Sequence, residues 1–334
     1  MDRTYSKPSP LDKAGILEVV NQFAYAAEAA YRTGFDGVQL HGAHGYLIGQ
    51  FLSQTNNNRM DEYGGSIANR ARIIGDIVRA IRSRITDSSF VIGIKINSVE
   101  FQAKGFQPEE AAELCQELEA MKVDFVELSG GTYEELGWKR AESAPRESTK
   151  AREAFFAKFA NEITPGLTKT IPYLTGGFRT AVGMAEAIRS GICKGISIAR
   201  PAGSDPLLPL QITEGRVSGA TNVKIPQDDI ITTILATGVQ MELMARGKPV
   251  VDLSNPGEVS RFEDAARAHH AEKAERLLQG IIVPGYFVLE TPGDEQVVWF
   301  VLHFPKTQLN KGARYDCVIL GPGSRRRKLK CAIN

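Results

Sequence analysis

The sequence predicts an α/β fold built on a parallel β-sheet, and two observations support this prediction. Short apolar segments alternate with amphipathic segments between residues 11 and 201, and strict β/α alternation is typical of parallel sheets with helical crossovers. A polar or glycine residue also follows each of the predicted strands. Parallel sheets carry their ligand sites at the carboxyl ends of the strands, so the sequence also indicates where a site should lie.

The first helix and strand occupy residues 11–42. A helix is predicted by apolar residues that recur every three or four positions, namely Ile16, Val19, Phe23, Ala27 and Ala30. Gly34 is expected to end this helix, because glycine favours the left-handed conformation found after a helix. The segment that follows is short, apolar and bounded by turn residues, as expected for a strand.

The same alternation continues to residue 201. Five strands are predicted in all, at residues 36–42, 90–97, 123–131, 171–177 and 195–201. The helices between them are predicted through Ile73, Ile77 and Ile81, from Pro108 onward, near 151–163, and from Thr180 to Ser190.

The pattern changes after about residue 215. Helices are predicted near 227–246 and 257–279, followed by apolar segments at 281–290, 297–304 and 315–320. Their connections are too short for parallel crossovers, so antiparallel pairing is expected. The basic residues 324–330 are interpreted as a solvated terminus. We therefore predict a parallel α/β portion over residues 1–255 and a C-terminal α+β appendage over residues 256–334.

The composition is that of a globular protein whose small net charge creates no strong electrostatic field. Of 334 residues, 43% are hydrophobic and 24% charged, and the formal net charge of +1 gives no reason to expect a nucleic-acid partner. The sequence contains no signal peptide pattern and no apolar segment long enough for a membrane span, so a cytoplasmic location is expected. The four cysteines show no CxxC spacing, and no metal site is predicted.

Several motifs identify a family resemblance. The segments HGAHGYL, QFLSQTNNNRMDEYGGSIANRAR, GIKINSVEF, LTGGFRT and IARPAGSDP closely resemble the Old Yellow Enzyme family of FMN-dependent NAD(P)H oxidoreductases, over roughly residues 10–255. The resemblance implies a TIM (β/α)₈ barrel whose strands four to eight are the five predicted here. Three further β/α units would complete such a barrel, so we expect either a second chain or a homo-oligomer to supply them, or a truncated chain that binds FMN poorly.

The resemblance also assigns the catalytic residues. His41 and His44 would donate hydrogen bonds to the carbonyl oxygen of an α,β-unsaturated substrate, and Tyr46 would protonate its α-carbon. The structural alternatives are that the histidines satisfy buried carbonyl groups and that Tyr46 packs at the rim of the site. Asn58, Arg59, Asp61, Tyr63 and Asn69 are interpreted as structural hydrogen-bonding residues of the long loop.

The cofactor residues follow later strands. Lys95 is a cation in an apolar strand and needs a partner, which the resemblance gives as the flavin pyrimidine; a salt bridge to Glu127 and a Schiff-base lyase chemistry remain alternatives. Four residues are predicted to hold the FMN phosphate, namely Gly176, Gly177, Ala199 and Arg200. The predicted function is reduction of activated alkenes with FMN and NAD(P)H, and the alternative is a non-catalytic remnant with an incomplete flavin site.

Overall fold

The structure is a computed structural model that describes residues 9–100, 104–130, 158–226, 229–289, 315–319 and 327–331. The chain divides into two compact units, Met1–Asp264 and Ala265–Asn334. The predicted division after residue 255 remains a prediction. The two units are described separately below.

The elements of the first unit alternate as predicted. They are α1 (Lys13–Arg32), β1 (Gly37–Gly42), α2 (Leu47–Leu52), α3 (Ile67–Arg70), α4 (Arg72–Arg84), β2 (Val91–Asn97), α5 (Pro108–Ala120), β3 (Phe125–Ser129), a 3₁₀ turn (Thr164–Gly166), β4 (Ile171–Thr175), α6 (Ala181–Arg189), β5 (Gly195–Ser197), α7 (Arg200–Ser204), α8 (Leu208–Thr213) and α9 (Ile230–Ala245). Residues 158–163 are also helical, and the rest of the helix predicted near 151–163 lies outside the described residues. Helix α10 (Pro256–Leu278) continues into the second unit.

All five predicted strands are present in one parallel sheet, which confirms the α/β prediction. Their order is β1-β2-β3-β4-β5, so each strand pairs with its neighbour along the sequence. The register sets His41 beside Lys95 and Lys95 beside Glu127. Among the described strands, β1 and β5 each pair on one side alone.

One face of the sheet packs against helices to form the core. Isoleucines of α4 are fully buried together with those of β2, which are Ile92, Ile94 and Ile96. Helix α1 buries Ile16, Val20, Ala24 and Ala27, whereas the predicted Val19 and Phe23 lie at the half-buried margin of that face. Burying one isoleucine or valine side chain contributes about 1.5–3 kcal/mol, so this helix layer holds the sheet in place.

The opposite face of the sheet carries aromatic rings over glycines. A Cβ atom on Gly93 would lie 2.1 Å from the Phe125 ring, and one on Gly195 would lie 2.4 Å from the Tyr173 ring. The two rings meet edge to face at 5.4 Å. Glycine is therefore required at these two strand positions to admit the rings from the neighbouring strands.

The helix ends follow local sequence signals. Thr33 ends α1 and Gly34 follows with φ +89°, as predicted. Helix α5 begins with Pro108 and has a reciprocal capping box between Gln107 and Glu110. Thr180 caps α6 by accepting the backbone N–H of Gly183 at 3.0 Å.

The second unit departs from the sequence prediction in two places. Residues 281–289 form no strand, because Pro284 and Gly285, with φ +83°, interrupt the apolar segment. A strand β6 (Tyr315–Ile319) is present, but its antiparallel partner is β7 (Arg327–Cys331), within the basic terminus that was expected to be merely solvated. Leu329 and Cys331 alternate with lysines in β7. This alternation of apolar and polar residues is typical of a strand, but the basic residues of the segment favoured the interpretation as a solvated terminus. The segment 297–304 lies outside the described residues.

Within the described ranges, no helix has the length and hydrophobicity needed to span a membrane. Those ranges also contain no cluster of three or more His, Cys, Asp or Glu side chains that could hold a metal ion. Cys115 and Cys193 are buried free thiols, and burial raises the pKa of Cys115 to about 12.

Candidate active site

Three aromatic side chains meet at the carboxyl end of β1. The His41 ring lies 4.6 Å from the Tyr46 ring and 5.2 Å from the His44 ring, measured between centroids. The chain turns sharply between them, because His44 and Gly45 both adopt left-handed conformations with φ of +59° and +77°. The structure therefore brings together the three side chains that the sequence predicted to be catalytic.

His44 is held at both its backbone and its ring. Its backbone N–H donates to Asn97 Oδ1 at 3.2 Å, and its Nε2 lies 2.8 Å from Ser129 Oγ. A left-handed conformation is uncommon for a residue other than glycine and costs free energy. The two contacts of His44 offset this cost. Thus β2 and β3 together fix the position of a side chain that belongs to the segment after β1.

Both histidines favour the neutral form. Burial, His41 and Lys95 together lower the pKa of His44 to about 4. Partial burial and then Lys95 also lower the pKa of His41, while Glu127 opposes that shift. A neutral imidazole has one N–H donor and one acceptor nitrogen, so each ring can donate one hydrogen bond at neutral pH.

Lys95 forms the salt bridge that was the alternative to a flavin contact. Its Nζ lies 3.0 Å from Glu127 Oε1, and Glu127 Oε2 accepts a hydrogen bond from Gln39 Nε2 at 2.6 Å. An ammonium group has three donors, and the Lys95 side chain is still 24% exposed, so it can donate to a second acceptor on the open face. The Lys95 side chain therefore already has one partner on the neighbouring strand, and the Schiff-base alternative stays untested.

The predicted phosphate residues lie at two neighbouring strand ends. Gly176 and Gly177 follow β4 in left-handed conformations, with φ of +111° and +76°. Ala199 precedes α7 after β5, and Arg200 is the first residue of that helix. Three strand spacings of about 4.8 Å separate β4 from β1, so a ligand that contacts both ends would be elongated.

Sequence reasoning missed a buried polar network beneath His44. Glu100 is 3% exposed and receives hydrogen bonds from Ser53 Oγ at 2.6 Å, from the Phe106 N–H at 3.0 Å and from Asn97 Nδ2 at 3.0 Å. The available signal was an acidic residue between Val99 and Phe101, since a charge flanked by apolar residues needs buried partners.

The long loop after α2 is tied together by polar side chains, as predicted for Arg59, Asp61, Tyr63 and Asn69. Arg59 forms a two-bond contact with Asp61 and donates to the Leu11 carbonyl at 2.7 Å. Tyr63 donates to Asp76 at 2.9 Å, and Asn69 donates to the Gly64 carbonyl at 3.1 Å. These bonds tie the loop to a residue that precedes α1 and to α4.

Comparison with known proteins identifies the family. A model described as the NADH:flavin oxidoreductase / NADH oxidase family matches residues 2–218. The chain is 41% identical over 274 residues to the NADH-dependent flavin oxidoreductase nadA of Aspergillus parasiticus, which covers 82% of this chain and 61% of that protein. The chain thus spans less than two thirds of that relative's own length.

Solved structures share the fold. A 2-naphthoyl-CoA reductase in complex with 2-naphthoyl-CoA is 25% identical with a TM-score of 0.56, over 64% of this chain and 32% of that chain. An Old Yellow Enzyme homologue from Zymomonas mobilis is 24% identical with a TM-score of 0.52, over 69% of this chain and 59% of that chain. The chain belongs to the NADH:flavin oxidoreductase / NADH oxidase family, whose cofactors are FMN and NADH or NADPH, and the predicted family is confirmed.

Proposed function

We propose that this member of the NADH:flavin oxidoreductase family reduces the activated alkene of small α,β-unsaturated carbonyl compounds, with FMN and NAD(P)H as cofactors. The observation that carries the proposal is the meeting of His41, His44 and Tyr46 at one strand end, with Lys95 on the neighbouring strand. A cytoplasmic location belongs to the same proposal.

The residues at the strand ends fit FMN. Gly176 and Gly177 present backbone in left-handed conformations, and Arg200 supplies a cation at the next strand, which together suit a phosphate group. Lys95 keeps donor capacity beyond its bond to Glu127 and would contact the flavin pyrimidine. FMN held there and reduced by NAD(P)H would supply the hydride for the β-carbon of the substrate.

The chain's own side chains polarise the substrate and deliver its proton. His41 and His44, each neutral at pH 7, would donate N–H groups to the carbonyl oxygen and stabilise the negative charge that develops there. If Ser129 donates to Nε2 of His44, the N–H remains on Nδ1 and is available to the substrate. Tyr46, whose ring lies 4.6 Å from that of His41, would then donate its hydroxyl proton to the α-carbon, because a phenol O–H is a proton donor.

The test is Tyr46→Phe in protein saturated with FMN. Enone turnover should fall by roughly 10²–10⁴-fold because the general acid is lost, while NAD(P)H still reduces the flavin at the parent rate. Stopped-flow absorbance separates these two half-reactions. Unchanged enone turnover in Tyr46→Phe would refute the assigned proton donor, whereas equal slowing of both halves would indicate a structural defect.

The histidines are tested by ligand affinity. His41→Ala and His44→Ala should each weaken binding of a phenol and lower enone turnover, while FMN remains bound, because each change removes one hydrogen-bond donor. His270→Ala is the matched control, since His270 is an exposed histidine of α10. Parent-like phenol affinity in both histidine variants would contradict their role.

We further infer that the five-stranded sheet corresponds to strands four to eight of a (β/α)₈ barrel. In support, β1 and β5 each have one neighbour among the described strands, and Gln39 and His41 on the open face of β1 are exposed. A second chain or a homo-oligomer would cover these edges. The test is the flavin-to-protein ratio together with the mass from light scattering; a stable monomer that retains one FMN would contradict this inference.

A further inference from the structure

Glu100 sits at the centre of a buried network that ends at His44. Its Oε2 accepts hydrogen bonds from Ser53 Oγ at 2.6 Å and from the Phe106 N–H at 3.0 Å. Its Oε1 accepts from Asn97 Nδ2 at 3.0 Å. The side chain is therefore fully engaged by donors that come from three separate segments of the chain.

The hydrogen bonds of this network require one orientation of the Asn97 side-chain amide. Glu100 Oε1 accepts a hydrogen bond from Asn97 Nδ2, so the NH₂ group of Asn97 is turned toward Glu100. The Asn97 carbonyl oxygen then faces the other way and accepts the His44 backbone N–H at 3.2 Å. Were the Asn97 amide reversed, its NH₂ group would face the His44 N–H, and two donors would oppose each other.

We propose that Glu100, acting through Asn97, is a positioning residue that holds His44 in its left-handed conformation with its ring against Ser129. Asn97 and Ser129 are 3% and 8% exposed, so water has little access to replace either contact. The ring would otherwise be free to leave its place beside His41. The expected effect of Glu100 on substrate affinity rests on the proposed function. Its expected effect on the position of the His44 ring does not.

Glu100→Gln tests the required orientation of the Asn97 amide, because the side chain at position 100 keeps almost the same shape and changes one acceptor into a donor. The new amide must keep its oxygen toward Ser53 and the Phe106 N–H, so its NH₂ group faces Asn97. The Asn97 side chain then reverses, and its own NH₂ group opposes the His44 N–H. We expect His44 to lose its fixed conformation.

A second substitution, at Asn97, should restore the fixed conformation of His44. In the double variant Glu100→Gln/Asn97→Asp, the NH₂ group at position 100 donates to a carboxylate at position 97, and that carboxylate's other oxygen accepts the His44 N–H. The pair keeps its total charge and its volume. A merely destabilising effect at Glu100 would not be reversed by a change at Asn97, so recovery is specific to the proposed mechanism.

The readout is nitrogen-15 NMR of the histidine rings in the full chain, which contains five histidines. The His44 signal is assigned by its absence in His44→Asn, and its long-range pattern reports which ring nitrogen carries the proton. We expect one tautomer in the parent, averaging of two in Glu100→Gln, and one again in the double variant. Ser53→Ala is the control, because it removes one bond to Glu100 and leaves the bond from Asn97, so its His44 signal should match the parent.

The outcomes decide the proposal without reference to enzyme activity. A parent-like His44 signal in Glu100→Gln, or its loss in both Glu100→Gln and the double variant, overturns the positioning role. If Glu100→Gln alone does not fold, the double variant decides by itself, since a parent-like signal supports the role and any other pattern overturns it. With FMN bound, Glu100→Gln should also weaken phenol binding about fivefold, as expected for loss of one neutral hydrogen bond. Absence of phenol binding in the parent would count against the proposed function and leave the NMR result intact.

Discussion

Replacing His44 with asparagine should make the stability of the protein less sensitive to acid. Burial lowers the pKa of His44 from its ordinary 6.5 to about 4, with smaller effects of His41 and Lys95. Between these two pH values the unfolded chain binds a proton at this residue and the folded chain does not. Stability that is present above pH 6.5 is therefore lost as the pH falls toward 4.

The magnitude follows from the two pKa values. At pH 5 the unequal protonation of His44 should lower the free energy of unfolding by about 2 kcal/mol relative to pH 7. The His44→Asn variant lacks this titration, while asparagine tolerates the left-handed backbone at this position better than most residues. The other titrating groups are common to both proteins, and those distant from His44 cancel in the difference.

The assay is urea unfolding of parent and His44→Asn at pH 7 and pH 5. The parent should lose about 2 kcal/mol more than the variant between these two conditions. Equal losses in the two proteins would show that His44 is not held neutral in the folded state. The hydrogen-bonding role assigned to a neutral imidazole would then lose its basis.

Two further predictions concern the sheet and its connections. The hydroxyl of Thr168 and three backbone N–H groups of its loop hold the pKa of Glu119 at about 2, below its ordinary 4.5, so this contribution to stability is complete above pH 4.5 and lost toward pH 2. Glu119→Gln should therefore melt at a lower temperature than the parent at pH 7, with the gap closing in acid, as followed by circular dichroism; a gap that does not change with pH would contradict this account. Gly93→Ala should cost about 1–3 kcal/mol in urea unfolding, because the added Cβ would lie 2.1 Å from the Phe125 ring, whereas Gly166→Ala, with its nearest neighbour atom at 3.6 Å, is the control and should be nearly neutral. Equal stability of these two variants would mean that the ring moves aside at little cost.

The sheet could be predicted from sequence because its strands are locally defined. Each is a short apolar segment bounded by turn residues, and in β2 the buried Ile92, Ile94 and Ile96 make the apolar character unambiguous. The C-terminal segments were less predictable. In 281–289 a Pro–Gly pair outweighs the apolar residues, and in β7 lysines conceal the alternation of Leu329 and Cys331.

The partner of Lys95 could not be predicted from the strand that contains it. The sequence allowed both a flavin and Glu127, and the choice required the register that sets Lys95 beside Glu127 across β2 and β3. The ion pair at 3.0 Å does not exclude the flavin, since the ammonium group retains donors. The sequence therefore indicated that Lys95 needs a partner, and the register was required to identify Glu127 as that partner.

The role of Glu100 was beyond sequence reasoning for a similar reason. Its donors come from Ser53, 47 residues earlier, and from the turn that leads to Phe106, so no local pattern connects them. The sequence did indicate the histidine cluster, because His41, His44 and Tyr46 are close along the chain. It could not indicate that β2 and β3 hold His44 in a left-handed conformation.

The central claim is that the carboxyl edge of the parallel sheet is a flavin site, and calorimetric titration of FMN into the 334-residue chain tests it most directly. We predict uptake of one FMN per chain at saturating concentration, and an affinity roughly tenfold to a hundredfold weaker in Arg200→Ala, which would lose a charge-assisted phosphate contact. Arg216→Ala, which removes an exposed surface cation paired with Glu214, should bind FMN like the parent. No FMN uptake by the parent, or equal affinity in parent and Arg200→Ala, would contradict the account.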